Sequence, residues 1–268
     1  MNSERISPQA ISGLRLSITV HPFLDHPSPI VFAHRGCHES GPENTFDAFQ
    51  GAFERGVRYM ETDVHLTLDG HLVAFHDRSL LRMTGAPRLI SDMTLAEVVA
   101  TPLEQGARIP TLLDLLEAFP EAKFNIDLKS DETVEPFIKL AKANPMIDRV
   151  CVGSFSDART DAAKSALPGL CTSLGPKAMR RAMVSVYTGI PFRPVAQCAQ
   201  IPVRFGPLNL ATSRLIETLS NHGLQIHYWT INSTDLMSQL IDIGAHGIMT
   251  DFPGRLIELL GARSLWFK

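Results

Sequence analysis

What is scarce in this 268-residue chain narrows the field first. Cysteine is scarce: Cys37, Cys151, Cys171 and Cys198 stand far apart, with no C-x-x-C pair. That spacing argues against a zinc knot or a disulfide framework and suits a reducing compartment. Long apolar runs are missing, and none approaches the ~18 residues a membrane-spanning helix needs. Residues 1–20 hold isolated apolar positions broken by Ser, Arg and Pro. They lack the apolar stretch of a secretory signal, so the expected location is cytoplasmic. Neither sign of charge dominates. Lys and Arg number 25 against 28 Asp and Glu, a net charge of −3, which leaves no basic footprint for nucleic acid. There is no internal repeat and no low-complexity linker. Hydrophobic residues at 44% and charged residues at 20% fit a globular chain able to bury a substantial core. A homo-oligomer is compatible with this composition and is not specified by it.

Residues 1–29 carry Pro8, Pro22, Pro27 and Pro29 and little periodic pattern. They read as an N-terminal extension that packs on the body through Phe23 and Leu24. Residues 30–268 read as one domain. Within it, short β-rich runs alternate with helical stretches. The runs are 30–33, 57–64, 123–128, 150–155, 169–174, 201–205, 224–231 and 247–250. Their near-continuous apolar character predicts burial on both faces. Asn44–Thr45 can cap a helix on which Phe46, Phe49 and Phe53 share a face. Segments 94–99, 111–119, 132–143, 213–222 and 233–244 also read as helix. Eight strands separated by helices predict a (β/α)8 TIM barrel. A doubly wound open sheet is the competitor, but no G-x-G-x-x-G opens the first βα unit.

One β-hairpin, at about 57–76, interrupts the alternation. Asp69-Gly70 is a strong two-residue turn signal. Centred there, the turn sets residue i opposite 139 − i, so Asp63 should face His76 with Cβ atoms roughly 5 Å apart. Alternation along the strand also predicts that Glu61, Asp63 and His65 share a face.

Barrel strands carry active sites at their carboxyl ends. His34 and Arg35 follow the first strand. Glu61 and Asp63 lie in the second, His76 follows the hairpin, and Asp127 and Lys129 end the next strand. Glu61, Asp63 and Asp127 together would repel and raise one another's pKa values. A hard divalent cation resolves that conflict, and oxygen-only ligands select Mg²⁺ or Ca²⁺. Arg35 and Lys129 add positive charge suited to an anionic phosphoryl group. His34 and His76 titrate near neutrality and suit general acid and base roles in cleaving a phosphodiester. Taken singly, each residue has an ordinary explanation as surface, turn or satisfied core. Their agreement across segments carries the functional reading, because buried strands rarely end in converging charges without a partner.

These residues resemble the glycerophosphodiester phosphodiesterase family. The motifs are His34-Arg35-Gly36, Pro42-Glu43-Asn44-Thr45, Glu61-Thr62-Asp63-Val64, Leu66-Thr67-Leu68-Asp69-Gly70 and His76-Asp77. The likeness continues through Ile109-Pro110-Thr111-Leu112, Asn125-Ile126-Asp127-Leu128-Lys129, Ser154-Phe155, Trp229-Thr230-Ile231-Asn232 and Thr250-Asp251 with Pro253. The resemblance implies a TIM barrel and metal-dependent hydrolysis of glycerophosphodiesters to an alcohol and sn-glycerol 3-phosphate. It implies that His34 and His76 are the acid/base pair, that Glu61, Asp63 and Asp127 bind the metal, and that Arg35 and Lys129 contact phosphate. Trp229 matches an aromatic lining the glycerol side of the pocket; core packing at a strand end explains it as well. Glu43 falls where a helix N-terminus favours a carboxylate, or where it would orient His34 or Arg35. One departure stands out. The family usually has Glu where this chain has Asp127, whose reach is about 1.5 Å shorter. Related barrels cleave lysophospholipids in the manner of a lysophospholipase D, and the apolar positions from Met179 to Phe192 are the candidate lipid-facing surface.

Overall fold

The computed structural model describes residues 20–27 and 29–266, so most of the expected N-terminal extension lies outside the described residues. In chain order the strands are β1 (Ile30–His34), β2 (Tyr59–Leu66), β3 (Leu72–Ala74), β4 (Lys123–Leu128), β5 (Val150–Gly153), β6 (Cys171–Thr172), β7 (Cys198–Ile201), β8 (Arg204–Phe205), β9 (Leu208–Asn209), β10 (Gln225–Tyr228) and β11 (Gly247–Thr250). The helices are α1 (Phe46–Glu54), α2 (Leu81–Thr84), α3 (Leu95–Ala100), α4 (Leu112–Ala118), α5 (Val134–Ala143), α6 (Asp157–Ala166), α7 (Pro176–Thr188), α8 (Ser213–Asn221), α9 (Thr234–Asp242) and α10 (Pro253–Ala262).

Eight parallel strands lie side by side in the order β6-β5-β4-β2-β1-β11-β10-β7. The ring closes between β6 and β7 through a bridge at Ser173 and Cys198. Leu174 N–H donates to the Cys198 carbonyl at 2.9 Å, and Gln197 N–H to that of Thr172 at 3.1 Å. This is the (β/α)8 TIM barrel that the alternation implied, with β3 added antiparallel to β2.

Strand alternation divides the core into two layers. Val31, Ala33, Ile126, Val152, Ile226 and Ile248 pack outward with helix residues such as Phe49, Leu115, Phe137, Leu219 and Leu256. Ile30, Phe32, Tyr59, Cys151, Cys171, Cys198 and Met249 form a separate interior cluster. Phe23 and Leu24 join it from a 3-10 turn at Pro22–Leu24 and are both buried. Lys123 Nζ ties that turn down by donating to the Pro22 and Phe23 carbonyls at 2.6 and 3.2 Å. Burial of both layers, at roughly 25 cal/mol per Å² of apolar surface, is the main term holding the barrel together.

Three local expectations need correction. The seventh strand is Cys198–Ile201 rather than 201–205, because Pro202 has no N–H to give a central ladder. Beyond it Arg204–Phe205 pairs with Leu208–Asn209 as a small outlying hairpin. The β2–β3 register sums to 138, not 139: Val64 faces Ala74 and Leu66 faces Leu72. The loop holds three residues, Leu68-Asp69-Gly70. Thr67 N–H donates to the His71 carbonyl at 2.9 Å and Gly70 takes the left-handed φ of 86°. Phe75, not His76, therefore donates its N–H to the Asp63 carbonyl, at 3.0 Å. Finally, α1 is capped by Thr45 alone, whose Oγ1 accepts from Ala48 N–H. Asn44 is buried and serves the site instead.

Candidate active site

Parallel register assembles the carboxyl rim. His34 of β1 pairs with Glu61 of β2, and Asp63 of β2 pairs with Asp127 of β4. Ala33 pairs with Thr250, so the next residues, His34 and Asp251, leave the sheet side by side. Four strands thus deliver one polar cluster from positions far apart in the chain.

His34 Nδ1 lies 2.6 Å from Asp251 Oδ1. A carboxylate only accepts, so the hydrogen bond puts the proton on Nδ1 and leaves Nε2 as an acceptor, 3.4 Å from Thr230 Oγ1. Asn232 holds the other side of Asp251, donating from Nδ2 to Oδ2 at 2.6 Å and accepting at Oδ1 from Asp251 N–H at 3.0 Å. Glu61 Oε2 is 3.8 Å from His34 Nε2. Burial disfavours the His34 cation, but the Glu61 charge and the Asp251 hydrogen bond outweigh it and raise the imidazole pKa. His76 repeats the device: its Nδ1 lies 2.6 Å from Asp77 Oδ1. The register slip takes His76 off the position opposite Asp63, and its backbone is held instead by His65, whose Nε2 meets the His76 carbonyl at 3.0 Å.

The cations are held just as firmly. Arg35 Nε is 3.1 Å from Asp63 and its Nη1 is 3.2 Å from Glu43. Lys129 Nζ sits 2.7 Å from Asp63 and 2.9 Å from Asp127. Arg159, on α6, steadies the turn below it by donating to the Leu128 and Lys129 carbonyls at 3.1 and 2.8 Å. Arg35 has a left-handed φ of 57°, sparsely populated by residues with a side chain. Its N–H donates to the Glu61 carbonyl at 3.0 Å, and its own carbonyl accepts from Asn44 N–H at 2.8 Å. Asn44, also at φ 57°, donates from Nδ2 to Asp63 at 3.2 Å and accepts from Thr62 Oγ1 at 2.8 Å. Such strain persists only where the surroundings over-determine it.

The acidic groups split in character. Burial lifts the Glu61 carboxyl to about 8, with Asp63 adding to the effect. Burial also lifts Asp127, although Lys129 opposes it. For Asp63, burial acts upward, but Lys129 and Arg35 overcome it and keep the group ionised. Asp127 Oδ1 is buried and has no hydrogen-bond partner.

Of the nine residues singled out in the sequence, eight therefore join one contact network: His34, Arg35, Glu43, Glu61, Asp63, His76, Asp127 and Lys129. Glu43 orients Arg35 rather than serving only a helix end. Trp229 stands half-buried just past β10, with the exposed Phe155 ring edge-on at 6.0 Å. Five more residues had no site role assigned from the sequence: Asp251, Asn232, Asp77 and Asn44, which stand in the quoted motifs, and Arg82, which does not. Arg82 comes from α2, in the segment between β3 and α4, and reaches Glu43 at 2.5 Å and Asp77 at 2.6 Å. Asp251 carried a usable signal, since it follows an apolar strand directly, as His34 does.

This rim is that of a phosphoric diester hydrolase on a TIM barrel. Residues 34–255 match the model of the glycerophosphoryl diester phosphodiesterase family, and the chain belongs to that family. It is 34% identical over 254 residues to a Mycobacterium tuberculosis protein named "probable glycerophosphodiester phosphodiesterase 2", covering 91% of this chain and 95% of that one. A Rattus norvegicus protein named lysophospholipase D GDPD1 is 28% identical over 276 residues, covering 87% of this chain and 86% of that one. Among solved structures, an Oleispira antarctica phosphodiesterase in complex with the product sn-glycerol-3-phosphate matches with a TM-score of 0.73 and 25% identity. That match covers 87% of this chain and 97% of the other.

Proposed function

We propose that this enzyme hydrolyses glycerophosphodiesters to an alcohol and sn-glycerol 3-phosphate, with His34 and His76 as the general acid/base pair. The observation that carries this reading is the repeated anchoring of imidazole Nδ1 on a carboxylate, His34 on Asp251 and His76 on Asp77. Each Nε2 is left unprotonated on the same rim as Arg35 and Lys129, that of His34 with only the long Thr230 hydroxyl contact of 3.4 Å. One imidazole takes the proton of the attacking hydroxyl, and the other returns a proton to the leaving alkoxide. The attacking hydroxyl belongs either to the neighbouring glycerol carbon or to water. Arg35 and Lys129 bind the phosphoryl oxygens and hold the diester in line.

The donor chemistry of the acidic cluster supports a divalent cation. Glu61 is buried and strongly disfavoured as an anion, and Asp127 offers a buried oxygen without a partner. Glu61, Asp63 and Asp127 would hold the ion, and their oxygen-only donor set suits Mg²⁺ or Ca²⁺. When bound, it supplies positive charge against the developing charge on phosphorus oxygens. None of the four cysteines is in a disulfide, which suits a cytoplasmic enzyme. No helix among the described residues is long and apolar enough to cross a membrane.

The test is release of glycerol 3-phosphate from glycerophosphocholine and glycerophosphoethanolamine after EDTA, then with Mg²⁺ or Ca²⁺ restored. Turnover should return with the cation and be lost in His34→Ala. No release from either substrate by folded, metal-loaded protein would overturn the reading.

One observation favours a second substrate class. Phe155, 70% exposed, forms an apolar wall with Trp229 beside the rim and could receive the acyl chain of a lysophospholipid. In the Met179–Phe192 stretch, Met179, Met183, Val186 and Phe192 pack on the barrel core, whereas Val184, Tyr187 and Ile190 are exposed. Phe155→Ala should lower turnover of lysophosphatidylcholine while sparing glycerophosphocholine. Equal effects on both would remove this reading.

A further inference from the structure

The cysteines that stand far apart in the sequence do not stay apart in the fold. Because β5, β6 and β7 are successive barrel strands, Cys151, Cys171 and Cys198 all enter the interior near the amino-terminal ends of the strands. That is the end opposite the catalytic rim. Cys151 and Cys171 are direct register partners, and Cys198 bridges to Ser173 on the next strand. The three sulfurs lie within 4.8 Å of one another, and all are fully buried.

Cys151 Sγ and Cys198 Sγ are 3.8 Å apart. With a zinc–sulfur bond of about 2.3 Å, the edge of a tetrahedron is about 3.8 Å. Next to Cys198 runs β10, on which His227 is wholly buried and interacts with the Cys198 thiol. Its Nδ1 has no hydrogen-bond partner, whereas its Nε2 meets Gln225 Oε1 at 3.3 Å. Buried polar atoms are rarely left unpaired without a reason. If these cysteines served only as small core hydrophobes, valine or alanine would fill the space as well, and nothing would call for an imidazole beside them.

We propose that Cys151, Cys171 and Cys198 bind a zinc ion inside the barrel as thiolates, with the His227 ring of β10 moving toward them to bring Nδ1 in as the fourth donor. Three thiol protons leave as the ion enters, and the resulting cluster carries one net negative charge. Lys123 lies close enough to Cys171 to act on it electrostatically and supplies the balancing positive charge. The Phe23–Leu24 plug covers the same interior cluster, so the ion is taken up as the chain folds and then stabilises the closed barrel. This site is separate from the oxygen donors at the rim and selects a softer cation.

The test uses the untagged full chain produced in minimal medium supplemented with cobalt. Cobalt held by thiolates gives sulfur-to-metal charge transfer and intense visible bands that oxygen ligands cannot give. The wild type should show these bands and keep its cobalt after EDTA has stripped the rim. Cys171→Ser and Cys151→Ala should lose the bands, and His227→Gln should shift them. Refolding the wild type with and without zinc covers the case in which the variants do not fold, and zinc should raise its urea midpoint. Folded wild type without a thiolate band, an unchanged midpoint, or a Cys151–Cys198 disulfide found by mass spectrometry would each overturn the proposal.

Discussion

Asp251 Oδ1 and His34 Nδ1 are 2.6 Å apart although 217 residues separate them in the chain. The barrel makes the pair by laying its last strand against its first, so closure of the fold and completion of the site are one event. Asn232 then fixes the carboxylate from the far side. Asp251→Asn keeps the shape but removes the charge and the preference for the Nδ1 tautomer. General acid/base catalysis contributes about 10²–10⁴-fold, and most of His34's share should go with it in kcat. The pH profile should move as well. Asp251 helps raise the His34 pKa, so its neutralisation lowers that pKa and shifts the corresponding limb of kcat/KM to lower pH. An unshifted limb with reduced kcat would assign Asp251 a purely structural part.

Asp127 stands where the family resemblance implies a glutamate, and its two oxygens have different surroundings. One oxygen accepts from Lys129 at 2.9 Å, and the other is buried without a partner. Asp127→Ala should weaken Mg²⁺ or Ca²⁺ binding at the rim by at least ~10-fold, since ligand charge sets affinity for hard cations. Asp127→Glu should retain binding. Calorimetric titration of the EDTA-treated protein checks both. Equal affinity in Asp127→Ala and wild type would remove Asp127 from the ligand set.

Where the sequence was legible, the reason is physical. Strand 247–250 could be bounded correctly because it is a continuous buried run between Gly244 and a helix that opens on Pro253. His34, Glu61, Asp63 and Asp127 could be found because a charge within or at the end of a buried strand is costly without a partner. Helix α6 was not anticipated, because Asp157–Ala166 has little apolar periodicity and is placed by its neighbours. The register near His76 was misjudged by one residue, because Asp69-Gly70 supports a three-residue loop as readily as a two-residue one. Arg82 was invisible because its helix has only four residues and its partners lie 39 and 5 positions away. Cysteine spacing hid the cluster of Cys151, Cys171 and Cys198 for the opposite reason: a barrel makes neighbours of residues 20 to 30 apart.

Gly36 shows how tightly the His34-Arg35 turn is built. Its φ is 90°, and a Cβ there would lie 2.6 Å from Ala48 Cβ and 2.7 Å from the Ala48 carbonyl carbon. Both the left-handed backbone and the approach of α1 therefore require glycine. Gly36→Ala should cost about 3 kcal/mol, combining left-handed strain with overpacking against backbone. Urea unfolding measures the loss. Because α1 and the Arg35 turn must separate, activity per folded molecule should fall too. Ala at the exposed Gly70, also left-handed but with nothing within 4 Å, should cost less.

His246 makes stability depend on pH at the end of the barrel away from the rim. Its Nδ1 accepts from Ile226 N–H at 3.3 Å, a role open only to the neutral ring. Burial, followed by the neighbouring His227, lowers its pKa to about 4. In the unfolded chain a histidine titrates near ~6.5. Above that pH the ring is neutral in both states and contributes no slope. As pH falls from about 6.5 towards 4, the unfolded chain takes a proton that the folded chain refuses, and stability declines. His38 and His65, also lowered by burial, act in the same direction, so the decline is shared. His246→Asn keeps an acceptor for Ile226 and removes one titrating group. Its urea midpoint should therefore fall less between pH 7 and pH 5 than that of the wild type. An equal fall in both would mean that His246 is charged in the fold and that its contact with Ile226 is broken.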